Sequence, residues 1–128
     1  MNLPQFTGIC LVSSDVPRLR LFYEQAFQVR AAGDDYPAIL EIQGAQLTIF
    51  PSRGMEDMAP GSMQDAGTGS VILEFAMDDV DLMAERLIEL GAPQVKPPQT
   101  YPWGRRSAWF RDPDGNILNL YSVVVATG

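Results

Sequence analysis

The side chains of this chain that could do chemistry are marked first by a missing type: its 128 residues include no histidine. Imidazole is the commonest metal ligand and the side chain that titrates nearest neutrality, so its absence removes Ser-His-Asp, Cys-His and histidine-based metal sites together. Carboxylates, amides, guanidinium groups, phenols and one thiol remain. Glu74 interrupts the apolar run "VILEFAM". A carboxylate there can pair with a cationic ligand, serve as a general base if burial raises its pKa, or close an internal ion pair with Arg105, Arg106 or Arg111. Asn119 stands in the middle of the alternating segment "ILNLYSVVV", two residues before Tyr121. Glu74 and Tyr121 are the candidate catalytic groups, and no set of residues names a reaction. In "YPWGRR", Tyr101 and Trp103 can stack on a planar ligand while Arg105 or Arg106 binds an anion; equally, the tryptophan can simply cover an edge of the fold. Trp109 and Arg111 share a strand face and carry the same two readings. Cys10, with no histidine to activate it and apolar neighbours, is expected to be a packed, inert thiol.

The elements that must position these groups are legible from periodicity and caps. "GICLVSSDVPRLRLFYEQAF" reads as a strand, an Asp15 cap and a helix with Pro17 in its first turn and Leu19, Phe22, Tyr23, Ala26 and Phe27 at helical spacing. "ILEFAMDDVDLMAERLIELG" repeats the plan, with Asp79 as cap, Val80, Met83, Leu87 and Leu90 on one face, and Gly91 as the stop. The two caps lie 64 residues apart (15 to 79). Each helix is followed by weaker strand signals and a hairpin: "AILEI" and "QLTIF" around Gln43-Gly44 in the first half, "SAWFR" and "ILNLYSVVV" around "DPDGN" in the second. Gly44 matches Gly115 at an offset of 71, and the extra seven residues are expected in a longer loop around "PPQTYPWGRR". Each half thus reads as strand, helix, three strands.

Composition bounds the function. A hydrophobic fraction of 46% suits one cored domain of this length. The net charge of −7 argues against a nucleic-acid partner, which needs a positive surface to displace counterions, and tolerates cationic small molecules. No apolar run is long enough for a bilayer, the start "MNLPQFTG" has no signal-peptide pattern, and the lone Cys10 fits a reducing compartment, so a cytoplasmic protein is expected.

With "SSDVPRLRLFYEQAF", "AMDDVDLMAERLIELGA" and above all "WFRDPDGNILNLYS", the chain resembles the vicinal oxygen chelate superfamily of glyoxalase I, extradiol dioxygenases, fosfomycin-modifying enzymes and bleomycin resistance proteins. The resemblance implies an α+β fold over 1–128, built of two βαβββ repeats, 1–52 and 70–128, joined by a loop at 53–69, each curling into a half-barrel around a cleft. The connector's Met55, Met58 and Met63 can form an adaptable lid or a flexible loop. Metal-dependent members take ligands from four positions that here fall on Gly8, Thr48, Ile72 and Asn119. None offers imidazole or carboxylate, so no metal and no other cofactor is expected. Strand alternation turns Gly8, Cys10, Val12, Thr48, Phe50, Ile72, Glu74, Ala76, Asn119 and Tyr121 toward the cleft. The expected ligand contacts are Phe50, Glu74, Trp103, Arg105, Trp109, Asn119 and Tyr121. The resemblance implies metal-independent binding of a planar or cationic small molecule by a homodimer, in the manner of the bleomycin resistance proteins. The alternatives are a glyoxalase-like lyase or isomerase, and an interaction module with no small ligand.

Overall fold

The computed structural model describes residues 3–124. The chain divides into two compact units, Met1–Ala66 and Gly67–Gly128. The first contains β1 (Gly8–Ser13), α1 (Val16–Phe27), β2 (Ala31–Gly33), β3 (Ala38–Leu40), β4 (Gln46–Pro51) and α2 (Ser52–Met58). The second contains β5 (Ile72–Ala76), α3 (Val80–Glu89), β6 (Gln94–Tyr101), β7 (Arg105–Arg111) and β8 (Ile117–Val123). Each unit is an open four-stranded mixed sheet, ordered β1-β4-β3-β2 in one and β5-β8-β7-β6 in the other. In both, the first strand pairs in parallel with the last and the remaining pairs are antiparallel. This is the α+β plan read from the repeated elements, and neither sheet closes into a barrel.

The helices form where the caps predict. The Asp15 carboxylate accepts the Arg18 amide at 3.2 Å and the Asp79 carboxylate accepts that of Leu82 at 3.0 Å, each satisfying an otherwise orphan N–H of a first turn. Of the α1 residues expected at helical spacing, Leu19, Tyr23 and Ala26 are buried and Phe22 and Phe27 half-buried; with Val16 the buried three form the first unit's core with Leu11, Ala38, Leu40, Leu47 and Ile49. On α3, Val80, Ala84 and Leu87 are buried among the same unit's Leu73, Ala108, Phe110, Leu118 and Leu120. Leu90 departs from its expected place: it is the C-cap of α3, where the chain leaves the helix, and it is exposed. In β1, β4, β5 and β8 the more buried residues facing the helix alternate with a second set, as the period of two demands. Leu73, Leu118 and Leu120 are buried, while Ile72, Glu74, Asn119 and Tyr121 occupy the opposite, open face.

Two stretches differ from expectation. "PPQTYPWGRR" is no loop: β6 runs through Pro97 and Pro98 to Tyr101, and only a short turn separates it from β7. Proline is compatible with this strand because β6 is an edge, and its register with β7 slips on both sides of Lys96. The connector opens with α2, whose Gly54 lies against Phe50 and Tyr36; a Cβ at Gly54 would come within 2.7 Å of the Phe50 ring. The following loop is tied back onto α2 by Glu56, whose two carboxylate oxygens accept the amides of Gly61 (2.7 Å) and Met63 (3.0 Å).

Candidate functional site

The "DPDGN" turn fixes where β8 begins, and its organiser is Asp112. That side chain is 3% exposed and accepts the amides of Asp114 and Asn116 at 2.9 Å and the Asn116 side-chain amide at 3.0 Å. Gly115 closes the turn at φ 88°, and Arg111 donates to its carbonyl at 2.7 Å. Arg111 is therefore committed to the turn rather than to Glu74. Sequence reasoning placed a hairpin turn at "DPDGN" without singling out Asp112 as its organiser. An Asp two residues before a further turn residue is a signal that could have found it, since Asx side chains accept backbone amides two positions on.

From this anchor the register of the second sheet lays one row of side chains across all four strands: Lys96, Trp109, Asn119 and Glu74 are successive cross-strand partners. Cross-strand partners share a face, so the row stands on the open side. Asn119 donates through Nδ2 to Glu74 Oε2 at 3.0 Å. Its Oδ1 is buried and accepts no hydrogen bond from any described residue. Turning the amide over would set Oδ1 against a carboxylate, so the orphan oxygen is a consequence of the Glu74 contact. Lys96 Nζ lies 4.3 Å from the Trp109 ring centroid and 4.6 Å from that of Tyr101. Nearer the hairpin, Arg105 lies over Tyr121 at 4.0 Å and reaches Glu74 at 3.8 Å. Of the readings left open for Glu74, the geometry shows an internal ion pair, with both side chains substantially exposed (43% and 58%).

Glu74, Arg105, Trp109, Asn119 and Tyr121 are thus brought together. Trp103 is not: it sits in the β6–β7 turn, 71% exposed, its ring stacked on Tyr101 at 4.6 Å. Arg106 is drawn to the helix side, where it makes a two-pronged pair with Asp81 of α3 at 2.7 and 2.8 Å. This Arg106 contact holds the Asp81 carboxyl below its usual range and raises the guanidinium pKa in turn. Lys96 was missed because the expected loop hid its strand. A shallow concavity of about 430 Å³ at the end of β5 and β8 is lined by Ala76, Met77, Asp78, Ser122 and Val123, beside the row rather than over it.

The first unit carries the equivalent pair in a chemically blank form. Thr48 lies opposite Cys10, as Asn119 lies opposite Glu74. Phe50 belongs to the same face, but its ring is engaged by Tyr36 (4.7 Å) and covered by Gly54, which takes it away from the set of free ligand contacts. Cys10 is exposed on this face, not packed as expected, because its strand position turns it away from the helix.

Whether these residues suit a divalent ion is a question of donors. Gly8 pairs with Gln46, and a Cβ there would stand 2.3 Å from the Gln46 carbonyl oxygen, so the position has no room for a ligating side chain. Ile72 is aliphatic and lies opposite Ile117, two residues along from the Asn119 level. Among the described residues no group of three His, Cys, Asp or Glu side chains could hold a metal. One ion-paired carboxylate and neutral oxygens do not offset a divalent ion's dehydration, so the donor set does not fit the metal of the metal-dependent relatives. No helix among the described residues is long and apolar enough to cross a membrane.

The comparisons with known proteins place this geometry. A curated relative, YraH of Bacillus subtilis (strain 168), is 33% identical over 64 residues, 49% of this chain and 50% of that protein, so the match spans about half the length of each. Among solved structures, a glyoxalase/bleomycin resistance protein/dioxygenase family enzyme from Burkholderia phytofirmans PsJN superposes with a TM-score of 0.84 at 18% identity, covering 94% of this chain and all of that one. A glyoxalase/bleomycin resistance protein/dioxygenase from Nocardioides gives 0.79 at 21% identity, covering 100% and 90%. These likenesses establish the fold. The sequence profile of one family matches residues 5–120, nearly the whole chain, and the protein therefore belongs to the glyoxalase/bleomycin resistance protein/dioxygenase superfamily.

Proposed function

We propose that this protein binds a small planar organic molecule on the open face of its second sheet without a metal, sequestering it as bleomycin resistance proteins do. The observation that carries the reading is the row Lys96, Trp109, Asn119, Glu74 with Arg105 and Tyr121 beside it: aromatic surface with a few directional polar groups. Ligand sites have this composition. The planar half of the expected ligand class is the half these side chains support. A cationic ligand needs an unpaired carboxylate, and Glu74 already has Arg105 and Asn119. A glyoxalase-like reaction gains nothing from the same donors, since Tyr121 lies under Arg105 and no metal ligands converge among the described residues.

A homodimer in the cytoplasm belongs to the same proposal. Phe6, Ile72, Trp103 and Val123 are between 50% and 73% exposed, apolar surface of the kind that subunit contact covers. Equilibrium sedimentation tests the dimer. The binding reading is tested by calorimetric titration with a panel of planar aromatic compounds, with Trp109 fluorescence as a second signal. Saturable binding that raises the unfolding temperature is expected. A panel that produces neither heat nor stabilisation overturns the reading.

A further inference from the structure

We infer that the ligand of this face carries an oxyanion, in the simplest case an aromatic carboxylate, and that Arg105 and Lys96 are its receptors. The inference rests on the binding reading above and narrows it. The chain as a whole carries −7, so its surface gives no reason to expect an anion site. The open face of the second sheet departs from that average: three cations, Lys96, Arg105 and Arg111, share a face with Glu74, and of the three Arg111 is committed to the Gly115 carbonyl.

On the second sheet Lys96 and Arg105 differ from Arg106 and Arg111 in how little of their hydrogen-bonding capacity is used. Arg106 makes three hydrogen bonds, to Asp81 and Thr100; Arg20 donates to Asp35 and Arg111 to the Gly115 carbonyl. The Arg105 guanidinium makes none to any described residue. Its contact with Glu74, at 3.8 Å, is well beyond the roughly 2.7–2.9 Å of a charge-assisted hydrogen bond. Lys96 likewise has no carboxylate within 4.0 Å among the described residues and is held only by ring faces. A ring quadrupole offsets positive charge but accepts no directed hydrogen bond from a planar fork. A carboxylate supplies both, and Arg105 can take it through two parallel N–H donors. Glu74 anchors Arg105 loosely, and Asn119 draws off one of the Glu74 oxygens at 3.0 Å. On this face cationic groups thus outnumber the carboxylate, which favours an anion over a cation, and charges more than a screening length of about 8–10 Å away are damped.

The experiment uses three probes of one shape, 2-naphthoate, 2-naphthamide and 2-naphthylmethylamine, titrated calorimetrically into the full chain and into K96Q and R105Q. The expected result is naphthoate binding about tenfold more tightly than the amide, with the amine weakest. That preference shrinks at high salt and in each variant. Circular dichroism reports folding, and because the two substitutions are on different strands, either soluble variant suffices. Equal affinities for the three, or an amine preference, overturns the oxyanion assignment while leaving the planar-ligand reading in place. Failure of all three probes to bind overturns both.

Discussion

Asn119 Nδ2 donates to Glu74 Oε2 at 3.0 Å across the parallel β5–β8 pair, and the same register in the first unit sets Thr48 opposite Cys10. The duplication thus preserves a position while the chemistry diverges: a polar, charged pair in one sheet and a hydroxyl beside a thiol in the other. In the second sheet the pair couples three groups, because Glu74 also steadies Arg105 over Tyr121.

Replacing Asn119 with Asp puts a second carboxylate at hydrogen-bond distance from Glu74. Like charges raise the pKa of the pair, so the variant's penalty grows as pH rises and both groups ionise. Glu74 is well exposed, which limits the effect to about 1 kcal/mol near pH 7. The expected outcome is a lowered unfolding temperature at pH 7 that approaches the wild-type value near pH 4. Thermal melts across that range check it, and a pH-independent difference would show that the two side chains do not interact.

Gly8 is required by a close approach, and a substitution there should show it. With the Gln46 carbonyl 2.3 Å from the site of a Cβ, Gly8→Ala forces β1 away from β4 at the start of the parallel pair. The expected loss is about 1–3 kcal/mol of stability by chemical denaturation. Gly8→His, which restores the residue type of metal-dependent relatives, should be at least as destabilised and should gain no affinity for Zn²⁺ or Ni²⁺ by calorimetry.

Asp112 should prove the costliest polar residue of the second unit. Asp112→Ala leaves two backbone amides and the Asn116 side chain without their acceptor in a buried turn, for an expected loss of about 2–4 kcal/mol. Asp112→Asn keeps one acceptor oxygen and should recover part of that loss. Denaturant titration of the three proteins orders them, and an alanine variant as stable as wild type would mean that the turn does not depend on its carboxylate.

Much of this fold was legible because its signals are local. Asp15 and Asp79 each announce a helix within three residues, and Gly44 and Gly115 mark hairpins at matching places in the two halves. The strand faces were legible too, since a period of two needs only one buried residue to set its phase. What could not be read is long-range register. The family positions linked Ile72 with Asn119, yet pairing sets Ile72 against Ile117 and brings Glu74 level with the asparagine. A two-residue shift keeps the face and changes the partner, so hydrophobic pattern alone does not resolve it. Lys96 was hidden for a related reason. Its strand contains Pro97 and Pro98, which argue against a central strand but not against the edge that β6 occupies.

The Asp81–Arg106 pair links α3 to β7, and its pH dependence has a definite sign. The arginine's hydrogen bonds hold the Asp81 carboxyl below its usual 3.8. A carboxylate with a depressed folded-state pKa adds stability above its unfolded-state value and loses it as pH falls through the folded one. The raised Arg106 pKa adds stability throughout the range in which an arginine is charged, which is the whole working range, and so contributes no slope there. Asp81→Asn should therefore melt below wild type from about pH 5 upward, with the gap closing as the pH is lowered past 4. Both groups are at the surface, so the gap should also narrow in high salt. Paired melts of wild type and D81N at several pH values and two salt concentrations make the measurement. A gap that stays constant to pH 3, or widens on acidification, would assign the link between α3 and β7 to apolar packing of Val80, Ala84 and Leu87 instead.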